Sequence, residues 1–311
     1  LSNKFSNIYL ITSDKLIKKK INHKIKLIGP DSSIWQTKSR YPKYFICILY
    51  LIMFLIVNKN TLIFAFQANL YAILIAKIFG KKIITRSNAS SEGWSKNVLK
   101  KLIYKVFLRL SDQVIVNSYD FKKELDNKFK INSVVIFNPL NKFEIQKKSR
   151  EKLKFNFYKK SKIKLITVGR LVDQKDQLTL LKAINLIKEK NIQLLIIGNG
   201  GKKKKLIDYI VKKKLSSVVK IISYKTNPYK YIKKANIFIL TSKFEGLPNV
   251  LLEALALKKY IISTNCPTGP REILLNGKGG DLVKIGDYET LSKKILNYSI
   301  KNNKLQNKLN K

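Results

Sequence analysis

The sequence predicts an α/β protein made of two doubly wound, Rossmann-like domains. Three observations support this prediction. The chain has 311 residues, about twice the length of an average domain. In both halves, short runs rich in Ile and Val alternate with segments of helical periodicity. In the second half these runs are almost continuously apolar, which is typical of parallel strands buried on both faces.

The first half contains six predicted strands and three predicted helices. The strands are 7–12, 24–28, 61–66, 82–85, 113–117 and 133–137, and the helices are 44–57, 69–79 and 95–110. Segment 44–57 is shorter than the roughly 20 residues that span a bilayer, and it is predicted to be a core helix. The polar stretch that follows the sixth strand lacks apolar periodicity and is predicted to be a linker. The predicted domains are therefore 1–150 and 151–311.

The second half predicts five strand–helix repeats. The strands are 163–168, 193–197, 218–222, 237–240 and 260–263, and the helices are 178–188, 203–213, 229–234, 248–257 and 270–275. In an open parallel sheet, ligands bind beyond the carboxyl ends of the strands. The loops that follow these strands are therefore the expected place for a functional site.

Composition and charge limit the classes of function. A hydrophobic content of 45% with only 13 Gly and 7 Pro excludes a mainly disordered chain. The chain has 63 Lys and Arg against 19 Asp and Glu, a net charge of +44 that would attract phosphate-rich partners or anionic membranes. Because the lysines are spread along the whole chain, a compositional origin is favoured. Nucleic-acid binding is an alternative that rests on charge alone, and no nucleic-acid partner is expected.

The cysteines and the start of the chain bear on its location. Cys47 and Cys266 lie in apolar runs and are predicted to be buried, reduced thiols, consistent with the cytosol. The chain starts at Leu1 without Met or a signal peptide, so it is interpreted as a fragment. A cytoplasmic location is expected.

Two cations follow the first strand of the second half. Arg170 and Lys175 are five residues apart on one loop, where a guanidinium and an ammonium can converge on a diphosphate. An exposed loop in a Lys-rich protein is the alternative. The next strand is followed by Gly198, where the backbone could approach a phosphate or a sugar closely.

Two acidic residues flank the start of the helix predicted at Pro248. Glu245 precedes this helix and Glu253 lies within it. Free amides and the helix dipole favour an anion between them, while the carboxylates can accept hydrogen bonds from sugar and ribose hydroxyls. The preference of acidic residues for helix starts explains each Glu separately, but not the pair together with Gly and Pro. The residues expected to contact a donor here are Gly246, Leu247 and Asn249.

Thr268 and Gly269 precede the last predicted helix and repeat this arrangement. Their amides are expected to face the same site, with ordinary helix capping as the alternative. In this order along one domain, the motifs resemble those of the retaining nucleotide-sugar glycosyltransferases of family 4, which adopt the two-domain GT-B fold. The resemblance covers the second half, and segments 247–249 and 265–270 are similar to transferases that extend lipid-linked or polysaccharide glycans.

The resemblance implies transfer of a hexosyl or N-acetylhexosaminyl group from a UDP-sugar to a lipid-linked, polyprenyl-diphosphate or polysaccharide glycan acceptor. It assigns Arg170 and Lys175 to the diphosphate, Glu245 to the donor sugar and Glu253 to the ribose. No cofactor and no metal are expected, since cations and helix dipoles neutralise the leaving diphosphate. If Glu245 is exposed in the cleft, its replacement by Ala should abolish transfer and spare folding.

The first half resembles the acceptor-side domain of the same fold, without its first strand and Gly-rich loop, facing the second domain across a cleft. Relatives often place a His after these strands, whereas the only histidine here is His23. Gln67, Arg86 and Asn88 are the expected acceptor-side residues.

The resemblance leaves two alternatives open: an enzyme acting on a small soluble acceptor, and a non-catalytic or truncated relative that only binds nucleotide. Apolar surface at 44–57 with its Lys-rich flanks also predicts peripheral contact with an anionic membrane, at the inner face for a cytoplasmic protein.

Overall fold

The computed structural model describes residues 7–14, 17, 21–30, 34–37, 39–66, 69–88, 98–158 and 163–298. Contacts divide the chain into two units. The first comprises Leu1–Ser87, Asn97–Ile115 and Ile131–Val134, and the second comprises Asn88–Lys96, Val116–Lys130 and Val135–Lys311. Residues 135–150, which were predicted to end the first domain, thus group with the second unit.

The six strands predicted in the first half are present, but they form two sheets. β1 (Ile8–Ile11) and β2 (Ile25–Ile28) make a parallel pair. A separate four-stranded sheet has the order β3 (Leu62–Ala65), β4 (Lys82–Ser87), β5 (Gln113–Val116), β6 (Ser133–Val135). The helices between them are α1 (Ile34–Thr37), α2 (Arg40–Val57), α3 (Asn69–Ile78), α4 (Val98–Arg109) and α5 (Tyr119–Glu124).

Segment 44–57 is helical as predicted, but the prediction that this helix is buried in the core is wrong. α2 is a helix, but Leu55 is the only one of its described side chains that is buried. An apolar run can pack against protein or remain at the surface, and helical periodicity does not distinguish the two. No helix among the described residues is both long and apolar enough to cross a membrane.

The two cysteines differ in burial. Cys47 on α2 is half-buried rather than buried, whereas Cys266 is buried as predicted, and both are free thiols.

The second unit contains a six-stranded parallel sheet with the order β12-β11-β10-β7-β8-β9. Its strands are β7 (Ile163–Val168), β8 (Ile192–Ile197), β9 (Val219–Ile222), β10 (Ile237–Leu240), β11 (Tyr260–Thr264) and β12 (Asp281–Val283). Its helices are α6 (Lys142–Ser149), α7 (Gln177–Leu186), α8 (Lys203–Lys212), α9 (Tyr229–Lys234), α10 (Asn249–Ala256), α11 (Pro270–Ile273) and α12 (Tyr288–Leu296).

Successive residues of these strands supply two separate hydrophobic cores. Leu165 of β7 pairs with Leu194 of β8 and belongs to one core, and the next residue, Ile166, belongs to the other. Side chains of a strand alternate between the faces of its sheet, so burial on both faces requires an uninterrupted apolar run. The apolar runs of the second half therefore specify this sheet.

α6 lies inside the segment predicted to be a linker. The Asn141 side chain accepts a hydrogen bond from the Glu144 amide at 2.9 Å, which caps the helix start. Ile145 is buried in one of the two cores, and α6 packs against α9 and α10. One cap and one buried apolar residue are too weak a signal for periodicity to detect, and these contacts explain why residues 135–150 belong to the second unit.

Candidate functional site

A buried ion pair joins the loop after β7 to the loop after β10. Lys175 Nζ donates to Glu245 Oε1 at 2.5 Å, and the two side chains are only 15% and 8% exposed. β7 and β10 are neighbours in the sheet, so the loops at their carboxyl ends lie side by side. The expectation that Glu245 is exposed is therefore wrong: the residue is close to Lys175 and buried with it.

Gln174 fastens the same two loops together. Its side-chain amide donates to the Phe244 backbone carbonyl at 2.9 Å, and its backbone carbonyl accepts a hydrogen bond from the Lys243 backbone amide at 2.8 Å. The exposed guanidinium of Arg170 donates to Gln174 Oε1 at 3.4 Å. Gln174 thus connects Arg170, which was predicted to bind a diphosphate, to the loop that carries Glu245. The sequence carried no signal for this role, because an isolated Gln in a polar loop matches no motif.

The start of the β7 loop is held by the protein's own backbone. The buried Gln177 side chain donates to the Arg170 carbonyl at 2.9 Å. A Cβ atom on Gly198 would lie 1.9 Å from the Gly169 carbonyl oxygen. Close approach of the β7 loop therefore accounts for the glycine at 198, which was predicted to make room for a ligand.

A third loop, after β11, packs against Glu245. The buried Thr268 hydroxyl donates to the Glu245 carbonyl at 2.5 Å, and Gly269 follows as the N-cap of α11. A Cβ atom on Gly246 would lie 2.1 Å from the Asn88 carbonyl oxygen. The structure thus brings together four of the predicted site residues around Glu245, namely Gly246, Thr268, Gly269 and Asn88.

The other acceptor-side predictions have different outcomes. Gln67 lies outside the described residues. Arg86 lies in β4 of the first unit, where its carbonyl accepts a hydrogen bond from the Asn69 side chain at 3.0 Å. Asn117, which was not predicted as a site residue, donates to the Asn88 carbonyl at 3.5 Å and is fully buried.

Glu272 makes a second connection that the sequence did not reveal. Its carboxylate accepts from the Tyr119 and Asp120 amides at 3.1 and 3.0 Å. These amides start α5, so a negative charge lies at the positive end of that helix. The carboxylate thereby ties α5 to α11, directly after Thr268 and Gly269.

Glu253 lines a cavity of about 220 Å³ in the second unit. The Tyr229 hydroxyl donates to Glu253 Oε1 at 3.3 Å. Burial raises the pKa of the Glu253 carboxyl, and the hydrogen bond from Tyr229 partly opposes this rise. Burial, followed by the nearby carboxylate, raises the pKa of Tyr229 to about 12. The remaining lining residues are Pro139, Leu140, Asn141, Glu144, Ile145 and Asn249.

Other predicted donor residues lie nearby on α10 or just before it. Asn249 is exposed, and its side-chain oxygen accepts from the Asn138 amide at 2.6 Å. Leu247 and Pro248 are buried, and α10 begins one residue later than predicted, with Pro248 as its N-cap. Among the described residues, no three His, Cys, Asp or Glu side chains are grouped to hold a metal ion. The predicted metal independence stays a prediction.

Replacing Glu253 with Gln is expected to raise the unfolding temperature at neutral pH and leave it unchanged in acid. A carboxyl whose pKa is raised by folding costs stability as the pH rises from its unfolded-state pKa through its folded-state pKa. Gln cannot ionise, so the variant avoids this cost while still accepting the Tyr229 hydrogen bond. Thermal unfolding followed at several pH values from acid to neutral tests this.

Asp112→Asn is the control, because this carboxyl has the opposite shift and lies in the first unit, away from the cavity. The hydrogen bond from the Ile83 amide, followed by that from Lys77, lowers the pKa of Asp112, so losing its charge should slightly lower stability at neutral pH. A Glu253→Gln variant that unfolds at or below the wild-type temperature at neutral pH would contradict the expectation.

Comparison with known proteins identifies the family. The family model of the group 1 glycosyl transferases matches residues 148–311, which include all of the loops around Glu245 in the second half. The chain belongs to this family. The α/β fold class predicted from its sequence is confirmed.

Two relatives illustrate the range of the similarity. An uncharacterized glycosyltransferase of Methanocaldococcus jannaschii is 36% identical over 218 residues, covering 65% of this chain and 53% of the relative. The N-acetylgalactosamine-N,N'-diacetylbacillosaminyl-diphospho-undecaprenol 4-alpha-N-acetylgalactosaminyltransferase of Campylobacter jejuni is 29% identical over 231 residues, covering 71% of this chain and 62% of that enzyme. The chain thus spans about half to three fifths of their lengths.

The fold is shared with solved structures at low sequence identity. The crystal structure of HepE from Anabaena in complex with UDP matches with a TM-score of 0.72 and 14% identity. The match covers 95% of this chain and 82% of HepE. The similarity supports the GT-B type of the α/β fold.

Proposed function

We propose that this glycosyltransferase moves a sugar from a UDP-sugar to a lipid-linked or polysaccharide glycan acceptor, with retention of configuration and without a metal. Family membership supports glycosyl transfer. The observation that carries the proposal is the Lys175–Glu245 pair at the carboxyl ends of two neighbouring strands, with Arg170 tied to it through Gln174. The name of the Campylobacter relative supports an undecaprenol-linked acceptor, and the UDP complex of HepE supports the donor.

In the proposed complex the charged groups exchange partners. Lys175 and Glu245 neutralise each other in the structure, because burying either charge alone would be costly. A UDP-sugar offers a diphosphate to Lys175 and Arg170, and hydroxyls to Glu245. Each charge then keeps a partner while the donor is held between them. The bonds from Thr268 and Gln174 fix the loop that carries Glu245.

The proposed chemical step uses Arg170 and Lys175 at the leaving group. The bond from the anomeric carbon to the diphosphate oxygen breaks, and the acceptor oxygen bonds to that carbon on the same face. The proton of the acceptor hydroxyl moves to the leaving diphosphate, so UDP leaves with the electron pair of the broken bond. Arg170 and Lys175 stabilise the charge that develops on the diphosphate. This route requires no general base from the protein.

The cavity beside α10 is proposed to hold the ribose of the donor. The Glu253 carboxylate there can accept hydrogen bonds from two adjacent hydroxyls, because each of its oxygens is an acceptor. The Tyr229 hydroxyl orients the carboxylate from one side. Hydrogen bonds from ribose hydroxyls stabilise the ionised Glu253 carboxylate. Donor binding is therefore expected to lower the pKa of Glu253, which burial raises in the free protein.

A thermal-shift screen of nucleotides and nucleotide sugars tests the donor. UDP and one UDP-sugar are expected to raise the unfolding temperature, since a ligand at 100 times its Kd stabilises the folded state by about 2.7 kcal/mol. GDP and ADP at equal concentration are the controls, because they carry the same diphosphate charge as UDP on a different base. Stabilisation that is equal for all three diphosphates, or absent with UDP, would contradict a uridine-specific donor site.

Transfer itself is tested with isotope-labelled UDP-sugars and a polyprenyl-diphosphate-linked saccharide. Labelled lipid product is expected with the sugar that gives the largest thermal shift. A stabilising shift without transfer to lipid-linked, polysaccharide or small soluble acceptors would instead favour a relative that binds nucleotide without turnover.

A further inference from the structure

Three helices of the first unit expose large apolar side chains in rows. On α2 the row has a four-residue spacing and its members are 38–75% exposed, where a helix on a soluble protein normally carries polar groups. α3 and α4 carry similar rows, with exposures of 45–70% and 50–81%. We call these rows together the apolar face. Its residues are Tyr41, Phe45, Leu49 and Met53 on α2, Tyr71, Leu74 and Ile78 on α3, and Val98, Leu102 and Val106 on α4.

The three rows belong to adjacent helices. α3 contacts both α2 and α4, and the rings of Tyr44 on α2 and Tyr71 on α3 lie 6.3 Å apart. The apolar side chains therefore extend over neighbouring helices of one unit instead of occurring singly. Isolated exposed apolar residues need no explanation, whereas extended exposed apolar surface marks a place of interaction.

The charge of the same helices selects the kind of partner. The sequences of α2, α3 and α4 contain two, one and four Lys or Arg residues and no Asp or Glu. Lys77 of α3 pairs with Asp112 at 2.9 Å, so the excess positive charge comes from α2 and α4. Two copies of such a surface would bring like charges together, which disfavours self-association. An anionic bilayer provides both an apolar boundary for the rows and negative headgroups for the cations.

We propose that the apolar face seats this protein on an anionic lipid bilayer, with its rows at the headgroup–acyl boundary and Lys101 and Lys105 at lipid phosphates. Lys101 and Lys105 of α4 alternate with the exposed Leu102 and Val106, so charge and apolar contact come from the same helix. The biological reason rests on the proposed function, because a lipid-linked acceptor would be presented at that surface. The docking itself requires neither donor nor turnover.

Co-sedimentation with vesicles tests the proposal. The probes are phosphatidylcholine alone and phosphatidylcholine with about one third phosphatidylglycerol. The wild-type chain is expected to bind the anionic vesicles much more strongly. Phe45→Asn/Met53→Asn should lower binding by about tenfold or more, because two exposed apolar side chains lose their burial in lipid. Lys101→Glu/Lys105→Glu should remove the preference for anionic lipid.

Ile207→Asn/Val211→Asn on α8 of the second unit is the matched control. These residues are 42% and 64% exposed, and lysines at 203–205 and 212–214 lie on either side of the segment, so the substitutions also reduce exposed apolar surface near basic residues. This control should bind vesicles like the wild type. All variants should unfold at the wild-type temperature and keep the UDP thermal shift, which separates docking from donor binding.

Several results would overturn the proposal. One is equal binding of wild-type protein to neutral and anionic vesicles. A second is unchanged binding of the Phe45→Asn/Met53→Asn variant, or an equal loss in the α8 control. A third is a wild-type dimer that ignores vesicles and becomes monomeric in the Phe45→Asn/Met53→Asn variant, which would assign the face to a second copy of the chain.

Discussion

Replacing Glu245 with Gln is expected to lower sugar transfer about a thousandfold and to destabilise the fold as well. The proposed contact between the carboxylate and the donor sugar is lost, which lowers the rate. Lys175 is left largely buried without its counter-charge, and breaking a buried pair in this way costs about 3 kcal/mol. Transfer of labelled sugar and unfolding in urea measure the two effects separately.

A double variant separates chemistry from stability. Lys175→Met with Glu245→Leu replaces the pair by apolar side chains, which is often neutral for stability. This variant should recover most of the free energy of unfolding and remain inactive. Glu144→Gln is the control for loss of an ion pair, because the Glu144–Lys148 pair is about half exposed and should contribute little to stability. Wild-type transfer or wild-type stability in Glu245→Gln would contradict this account.

The sheet of the second unit was predictable because its strands are buried on both faces. Leu194, Leu195, Ile196 and Ile197 are all fully buried, and successive residues enter different cores. An uninterrupted apolar run of this length is typical of a parallel strand that is buried on both faces of its sheet. The predicted and observed bounds of the five predicted strands therefore differ by at most one residue at any end, whereas the short sixth strand, β12, was not predicted.

The elements that were missed depend on a few contacts. α12 starts where the Asp287 side chain accepts from the Thr290 amide at 2.9 Å, and it buries Leu291 and Ile295. Its remaining residues are mostly polar, so its sequence resembles a loop. α2 was misjudged for the opposite reason: its sequence is apolar on several faces, and only tertiary contacts decide which of them are covered.

The sequence predicted which loops carry the site, but not which side chains of those loops contact each other. Arg170, Lys175 and Glu245 were expected after strands because parallel sheets bind ligands at those ends. That Lys175 meets Glu245 depends on β7 lying beside β10 in the sheet, although two strands separate them along the chain. Strand order is set by how the helices pack over the sheet, which no local pattern records. The bridging role of Gln174 depends on the same adjacency.

Replacing Arg170 with Ala is expected to weaken UDP binding by about 2–4 kcal/mol with little change in stability. The guanidinium is exposed, and its side-chain bond to Gln174, 3.4 Å, is long, so the fold should lose little. The variant also loses the proposed charge-assisted contact of the guanidinium with the diphosphate. Arg170→Lys should have an intermediate affinity, because an ammonium keeps the charge but not the planar fork. Titration calorimetry with UDP measures these affinities.

Arg150→Ala is the control for Arg170, because it removes another exposed guanidinium of the same unit at the end of α6. It should leave UDP affinity within a factor of about two, since an exposed charge that lies outside the loops around Glu245 is largely screened by salt. Raising the salt concentration should weaken UDP binding more in the wild type than in Arg170→Ala, because the variant has lost one of the charges being screened. Equal losses of affinity in Arg150→Ala and Arg170→Ala would show that the chain attracts UDP through its net charge instead of through this loop.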